Sequence, residues 1–500
     1  MRDRLLARLA LSAVLASLLL AANPLPAAAD WHTFHHDNQR TGVSDANFPS
    51  PGLKPLWTFS LGEHTWRYEK GMSVWSASPV VGRIDEDTVA VIIGAYDHNV
   101  YALDAANGEL LWRFTTGGAL NAAPAFARVM GRPVVYIGCS DRSFYAIDAI
   151  KGRKLWSYET LPWTYTVGPA RPSSPLVAEV AGKQVVYVAF SNTDHKPGRT
   201  VQRGELFAFD AATGQLRWRH FLTTNPISAP ALVQFHDSQV LFLGSCDGNI
   251  YAVDAESGED IWSFVTGHRV MASPAIGEID GRPVVFCGNF FGMMYCLDAR
   301  TGAIVWRHKV GHMINATAAV AEVRRTPMVL AAGYDRCLHA INARTGKTMW
   351  RFPTQKYIAA SPAVALIGGV PAVFFNSLDN LLFAVDIATG QKLWESETGA
   401  MLWPYETRGE CVWSSPAVTS LNGQAVLLFA AYDGRLYAFS SGSAEGGTEP
   451  AQGSTARSSG QPTGRSLWLR FVVPALGLAL VTAGLAVILL GKRAVPPDAS

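Results

Sequence analysis

An all-β fold is predicted here: an eight-bladed β-propeller of four-stranded blades, closed by its own N-terminal strand and followed by one C-terminal transmembrane helix. Three observations predict it. A twelve-residue unit, "YALDAANGELLW" (Tyr101 to Trp112) in its first copy, occurs seven times. Trp218, Trp262, Trp306, Trp350 and Trp394 are 44 residues apart each time, a spacing that fits one propeller blade. An eighth copy stops one strand short, and a strand of the missing kind stands near the N-terminus.

In chain order, residues 1–29 read as a secretory signal. Arg2, Arg4 and Arg8 make a basic start, "LALSAVLASLLLAA" an apolar stretch, and Ala27 to Ala29 a small-residue cleavage site. There is no Arg-Arg pair and no cysteine near that site, so the expected route is general secretion without a lipid on a mature N-terminal cysteine. Residues 30–52 form a lead-in that contains "DWHTFHHDNQRTGVS" (Asp30 to Ser44). Its His32, His35, His36 and Asp37 are metal-ligand types, but nothing distant in the sequence partners them, and they read as packing or solvated groups.

Residues 53–440 are the propeller. Each unit starts on a motif such as "ASPA", passes through an apolar run such as "VVYIG" and a turn such as "CDGN", and ends on the Trp-bearing strand. Runs of β-branched and aromatic residues, punctuated by Asp-Gly and Thr-Gly turns, give four strands per unit. The eighth unit begins at "SSPAVTS" and ends at "AAYDGRLYAFS" (Ala430 to Ser440). "LKPLWTFSLG" (Leu53 to Gly62) then supplies its last strand and covers a sheet edge that would otherwise stay open. The turn acids Asp97, Asp141, Asp247, Asp335, Asp379 and Asp433 read as turn formers.

Residues 441–466 have almost nothing apolar to pack and read as a disordered linker, with a typical reach of roughly 28 Å. Residues 467–490, "LWLRFVVPALGLALVTAGLAVILL", are long and apolar enough to cross a bilayer as a helix. "GKR" follows, so the short tail, residues 491–500, is expected in the cytoplasm. The propeller is then expected on the extracytoplasmic side, periplasmic or cell-surface, anchored in the cytoplasmic membrane. A formal charge of +2 shows no nucleic-acid footprint. Six cysteines are too few for a disulfide-built scaffold in a chain of 500 residues.

The sevenfold "YAxDAxTGxxxW" pattern resembles the PQQ (pyrroloquinoline-quinone) type of β-propeller repeat, over about Leu53 to Ser440. "DWHTFHHDNQRTGVS" is similar to the lead-in of that family. Two branches of it matter: quinoprotein dehydrogenases, and the BamB-like scaffold of outer-membrane assembly, which keeps the fold without the cofactor. The resemblance implies a blade-packing role for Trp57, Trp112, Trp156, Trp218, Trp262, Trp306, Trp350 and Trp394. It also implies that a quinone-using member places a metal beside the ring and often stacks a vicinal Cys-Cys disulfide on it. This chain has no Cys-Cys pair and no "CxxCH" for a c-type haem. No acid-rich run offers Ca²⁺ its oxygen ligands. No catalytic residues, no metal and no cofactor are therefore expected, with PQQ and Ca²⁺ as the alternative.

One disulfide is expected. In "VVFCGNFFGMMYCLD" a two-residue turn at Phe291-Gly292 sets Cys287 opposite Cys296, close enough for a cross-strand bridge. The other reading is two buried thiols.

Against a 44-residue unit, the surplus falls in four places: Gly62 to Trp75, Thr160 to Pro172, Ser191 to Gly204 and Ala400 to Trp413. Three join the outermost strand of one blade to the innermost strand of the next, and the remaining one, Ser191 to Gly204, joins the second and third strands of blade 3. In an up-and-down meander both connection types emerge at one end of the ring. Three of the insertions share Trp-x-Tyr followed by Gly, from Trp66, Trp163 and Trp403. Five of the fifteen tryptophans lie in insertions. The candidate binding face is Trp66, Tyr68, Trp75, Trp163, Tyr165, Trp403, Tyr405 and Trp413, since Trp and Tyr favour interface hot spots. Arg67, Lys70, Glu406, Arg408 and Glu410 would add polar specificity there. The plainer account is a lid packed over the central channel.

These readings converge on a membrane-tethered, non-catalytic scaffold that binds a protein partner in the cell envelope. The alternatives are a PQQ-dependent dehydrogenase and a sensor of sugars or other small ligands.

Overall fold

The computed structural model describes residues 31–61, 77–160, 170–196, 199–224, 226, 228–379, 381–397, 414–431 and 434–441. These residues form eight antiparallel sheets of four consecutive strands or close variants of that plan. Blade 1 shows the unit: Val80–Arg83, Val89–Gly94, Asn99–Asp104 and Leu110–Thr115, in that order across the sheet. Blade 8 takes Ala417–Leu421, Gln424–Ala430 and Arg435–Ser440 from the end of the ring and Lys54–Ser60 from its start. Trp57 stands opposite Ala438 there, as Trp112 stands opposite Ala102 in blade 1. The N-terminal strand therefore closes the ring in the register of every other blade.

The repeat residues explain the packing. The Nε1–H of Trp57, Trp112, Trp156, Trp218, Trp262, Trp306 and Trp350 donates to a backbone carbonyl of the following blade, at 2.6 to 3.2 Å. The ring lies on the turn of that blade. At Gly302, with φ +71°, a Cβ would come 2.8 Å from the Trp262 ring, so the turn must be glycine both for its left-handed backbone and for the close approach. Inner strands are buried on both faces and read as continuous apolar runs, whereas outer strands alternate.

The "ASPA" starts form a belt around the axis. Ser415 N–H donates to Ser78 Oγ, Ser361 N–H to Ser415 Oγ and Thr317 N–H to Ser361 Oγ, at 2.8 to 3.0 Å. Ala229 to Ser273 and Ala123 to Ser174 repeat the bond. Each serine thus satisfies a buried amide of the preceding blade.

The lead-in does more than precede the ring. An innermost strand has a free edge toward the axis, with unpaired amides. The amides of Val81, Phe126, Leu232, Ile276, Val320 and Val364 donate to the carbonyls of Trp31, His32, Asn38, Gln39, Thr41 and Gly42, at 2.7 to 3.0 Å. Asn38 Nδ2 donates to Val177 O at 2.8 Å, covering blade 3. Residues 31–42 therefore wind past the inner edges of seven blades. Val43–Phe48 then pairs in parallel with Ala363–Ile367, giving blade 7 a fifth strand. His32, through its carbonyl, and the His35 ring reach distant blades, whereas Asp37 bonds within the lead-in, to His36, Gln39 and Thr41.

The expected disulfide is corrected. Cys287 pairs with Tyr295, and Cys296 with Phe286. The loop is three residues, Phe290 to Gly292, with Gly292 N–H bonded to Asn289 O and Gly292 at φ +78°. One residue more than the assumed turn shifts the register by one, which sends the two side chains to opposite faces of the blade. Both thiols are buried and unbridged. Cys296 takes the small-residue position opposite Trp306 that alanine holds in the other blades.

Candidate functional site

The end of the ring that carries the insertions can be built from its short connections. Turns between second and third strands hydrogen-bond to the loops between blades: Ser140 N–H to Ala119 O, Phe290 to Arg269, Tyr334 to Met313 and Leu378 to Tyr357. The two connection types thus share one end. Ser191 to Gly204, apart from 197–198, is described there as the tip of a long hairpin, Lys183–Lys196 against Arg199–Asp210, with Ser191 opposite Gly204 and Lys196 opposite Arg199. Six residues past Phe190 carry it about 20 Å beyond the ordinary turns. Trp66, Tyr68, Trp75, Trp163, Tyr165, Trp403, Tyr405 and Trp413 lie outside the described residues, as do Arg67, Lys70, Glu406, Arg408 and Glu410.

The described part of this end is aromatic in its own right. The His268 ring lies nearly parallel to Phe290, with centroids 5.7 Å apart, and 6.0 Å from Phe291. Tyr334 stacks on Tyr357 at 5.2 Å and on His312 at 6.5 Å. Lys309 Nζ stands 3.8 Å from the centre of the Phe291 ring, a cation–π contact. Phe291 is 63% exposed and Tyr357 45%. Sequence reading passed over these residues because each is a single substitution at an ordinary turn or loop position. The available signal was Phe291, which replaces the turn acid of blade 5. In the loop beside Tyr334, both amide atoms of Asn315 are buried without a partner, and Asn121 Oδ1 is in the same state. Such groups are ordinarily satisfied by water or a ligand.

Inside the ring, Arg40 is fully buried and its guanidinium has four acceptors. Nε donates to Pro230 O at 3.0 Å, and Nη2 to Pro175 O at 3.2 Å. Nη1 donates to Thr33 Oγ1 at 2.8 Å and to Phe34 O. Burial pushes its pKa down to about 9 against the pull of Asp37. The His35 ring lies between Arg40 O at 2.6 Å and Pro362 O at 2.8 Å. Burial raises the pKa of Asp37, but hydrogen bonds from His36 and Thr41 outweigh it and hold the carboxyl down to about 2. At the opposite end of the ring, a cleft of about 400 Å³ opens between the lead-in and blades 1 to 3, beside Asn38, Arg83, Arg128 and Glu179.

The family model described as outer membrane protein assembly factor BamB matches residues 54–244 and 246–471. The chain belongs to this family. Its propeller is of the PQQ-like, BamB-like type. No curated protein sequence matches the chain. Among solved structures it is similar to a europium-containing methanol dehydrogenase, at 15% identity over 83% of this chain and 98% of that one, TM-score 0.62. It is similar to the quinohemoprotein alcohol dehydrogenase of Comamonas testosteroni, at 16% identity over 85% and 82%, TM-score 0.62. It is also similar to Sqt1 of Saccharomyces cerevisiae, at 12% identity over 77% and 98%, TM-score 0.57. At these identities the likeness is one of fold.

The dehydrogenase likeness raises a quinone with a hard metal ion, which needs a cluster of oxygen donors. The described turn acids stand one to a blade, each with one carboxylate oxygen holding its own hairpin. Asp97, Asp141, Asp247, Asp335 and Asp379 each accept from the amide two residues on, at 2.8 to 3.3 Å. Where the loops enter the innermost strands, the matching positions are Asn121, Met271, Asn315 and Ala359, with no carboxylate. Neither the described turn acids nor these entry positions of the BamB-family propeller assemble a donor set for that pair.

Proposed function

We propose that this protein is a membrane-tethered propeller on the extracytoplasmic side of the cell envelope that holds a protein partner on its loop end and catalyses no reaction. The observation that carries this reading is the contrast between the two regions where a propeller can work. The inner strand edges of seven blades are bonded by the protein's own lead-in. The loop end carries exposed aromatic rings on a rigid frame. Function concentrates in such loops, and Tyr and Trp are favoured at binding hot spots. The family description supports a partner concerned with outer-membrane protein assembly. A secretory signal in residues 1–29 and a helix in residues 467–490 are the proposed means of export and tethering.

A photo-crosslinking residue at Phe291 or Tyr357, in the full-length protein in its own membrane, tests the reading. The expected result is one envelope protein captured from these positions and not from Met130 at the opposite end. Equal capture from both ends would overturn it. So would dye reduction by the purified protein after PQQ with Ca²⁺ or a lanthanide is added.

The unpartnered Asn315 amide beside the Tyr334–Tyr357 stack favours a second reading, a site for a sugar ring. Saturable binding of an oligosaccharide, abolished by Tyr357→Ala, would decide for it.

A further inference from the structure

We propose that blade 6 carries a mononuclear site for a divalent cation of the zinc class, held by Asp335, Cys337 and His339. The other blades serve as internal controls. At the same three positions, blades 1 and 4 have Asp97, Asn99, Tyr101 and Asp247, Asn249, Tyr251, and blade 2 has Asp141, Ser143, Tyr145. In each, the turn aspartate caps its own hairpin and accepts from the tyrosine hydroxyl, at 2.7 Å for Tyr145 and Tyr251. Blade 6 keeps this frame. Cys337 N–H lies 3.3 Å from Asp335 Oδ1, and His339 Nε2 lies 2.7 Å from Asp335 Oδ2. Only the chemistry changes: two of the three side chains become metal ligands in one blade.

Geometry brings the donors together. Cys337 and His339 are two apart on the strand Cys337–Asn342 and share a face, and Asp335 stands in the turn beside them. One carboxylate oxygen, the thiol sulfur and a ring nitrogen all lie within 4.8 Å of one another. A tetrahedral zinc ion holds its ligands roughly 3.3 to 3.8 Å apart, so the ion would take the place of the proton shared by Asp335 and His339, opening that 2.7 Å pair slightly, while the thiol adjusts to complete the set. Among the described residues no other three His, Cys, Asp or Glu side chains converge in this way.

The donor set selects the ion. Sulfur and imidazole with one carboxylate suit zinc, cobalt or nickel rather than calcium or magnesium. Thiolate and carboxylate together neutralise a divalent charge, with Arg336 and Arg351 nearby. His339 is sealed in, whereas Cys337 and the Asp335 side chain, 18% exposed, are reachable from solvent. That leaves an entry path and a fourth position for water. His339 Nε2 takes the place of the tyrosine hydroxyl beside the turn aspartate, and it adds there a ring nitrogen that can bind an ion of the zinc class.

Chelator-treated full-length protein is titrated with Co²⁺ and, by calorimetry, with Zn²⁺. The expected result is one ion per chain and a thiolate-to-cobalt charge-transfer band in the near ultraviolet. His339→Tyr and Cys337→Asn restore the side chains of blades 1 and 4, so both are expected to fold. Each should weaken Zn²⁺ binding more than about tenfold and remove the band. Absence of stoichiometric binding overturns the proposal, and so does binding that either substitution weakens less than about tenfold.

Discussion

Arg40 sets the terms at the residue scale, because a fully buried guanidinium is tolerable only when its donors are used. Its acceptors are three backbone carbonyls and one hydroxyl from the lead-in and from blades 3 and 4. Arg40→Met should therefore lower stability by about 3 kcal/mol, the scale of losing charge-assisted bonds and leaving buried carbonyls unpaired. Urea unfolding measures it; a loss below about 1 kcal/mol would show that water replaces the guanidinium. Acid should loosen the same segment. Burial first, then His36, pushes the His32 pKa from 6.5 down to about 4. Above 6.5 both folded and unfolded forms are neutral. Between 6.5 and 4 the unfolded chain takes up a proton that the folded protein refuses, so stability falls as pH falls, by about 2 kcal/mol after solvent screening. Asp37 acts lower: its contribution is present above its ordinary 3.8 and is lost as pH drops toward 2. Burial likewise holds His35 down to about 4, so unfolding midpoints at pH 7.5 and 5 check both groups, and His32→Gln should remove about half of the difference.

At the scale of elements, the repeat made the blades legible, since each strand repeats its side-chain pattern and each Trp needs its turn in the next blade. The closing strand was legible for the same reason: Leu53 to Gly62 carries the one feature that blade 8 lacks. What stayed illegible depended on backbone. The lead-in is held through its carbonyls, which every sequence possesses, so nothing in "DWHTFHHDNQR" announced the winding path. The Cys287–Cys296 reading failed on one residue of loop length, which a glycine in either turn type would have satisfied. The aromatic stacks of blades 5 to 7 were missed because they join loops from different blades. The blade 3 hairpin makes the element-scale prediction. Its tip, Asn192 to Arg203, extends past the four-stranded body, so replacing it with Asp-Gly should move the melting temperature by less than about 2 °C, as expected for a solvent-facing extension. A larger fall, read by calorimetry, would mean that the tip packs on the ring.

On the scale of the whole molecule, the N-terminal segment has two tasks that no other part of the described chain shares. Residues 31–42 bond the inner edges of seven blades, and Lys54–Ser60 supplies the last strand of the eighth. A ring without them would keep seven complete blades but expose the edge of Arg435–Ser440 and a row of amides along the axis. Exposed edges recruit other chains, so the failure should be association rather than simple unfolding. Deleting residues 31–61 should give a protein that elutes as oligomers and is cut rapidly by protease. Adding a peptide of residues 31–61 in trans should return the monomer and its protease resistance, because the strand pairing and the axial bonds need no covalent link to the rest of the ring. A deletion that remains monomeric, with an unchanged unfolding midpoint, would show that the ring is held by blade-to-blade packing alone. A deletion that associates but ignores the peptide would show that the closing strand must be in place as the chain folds.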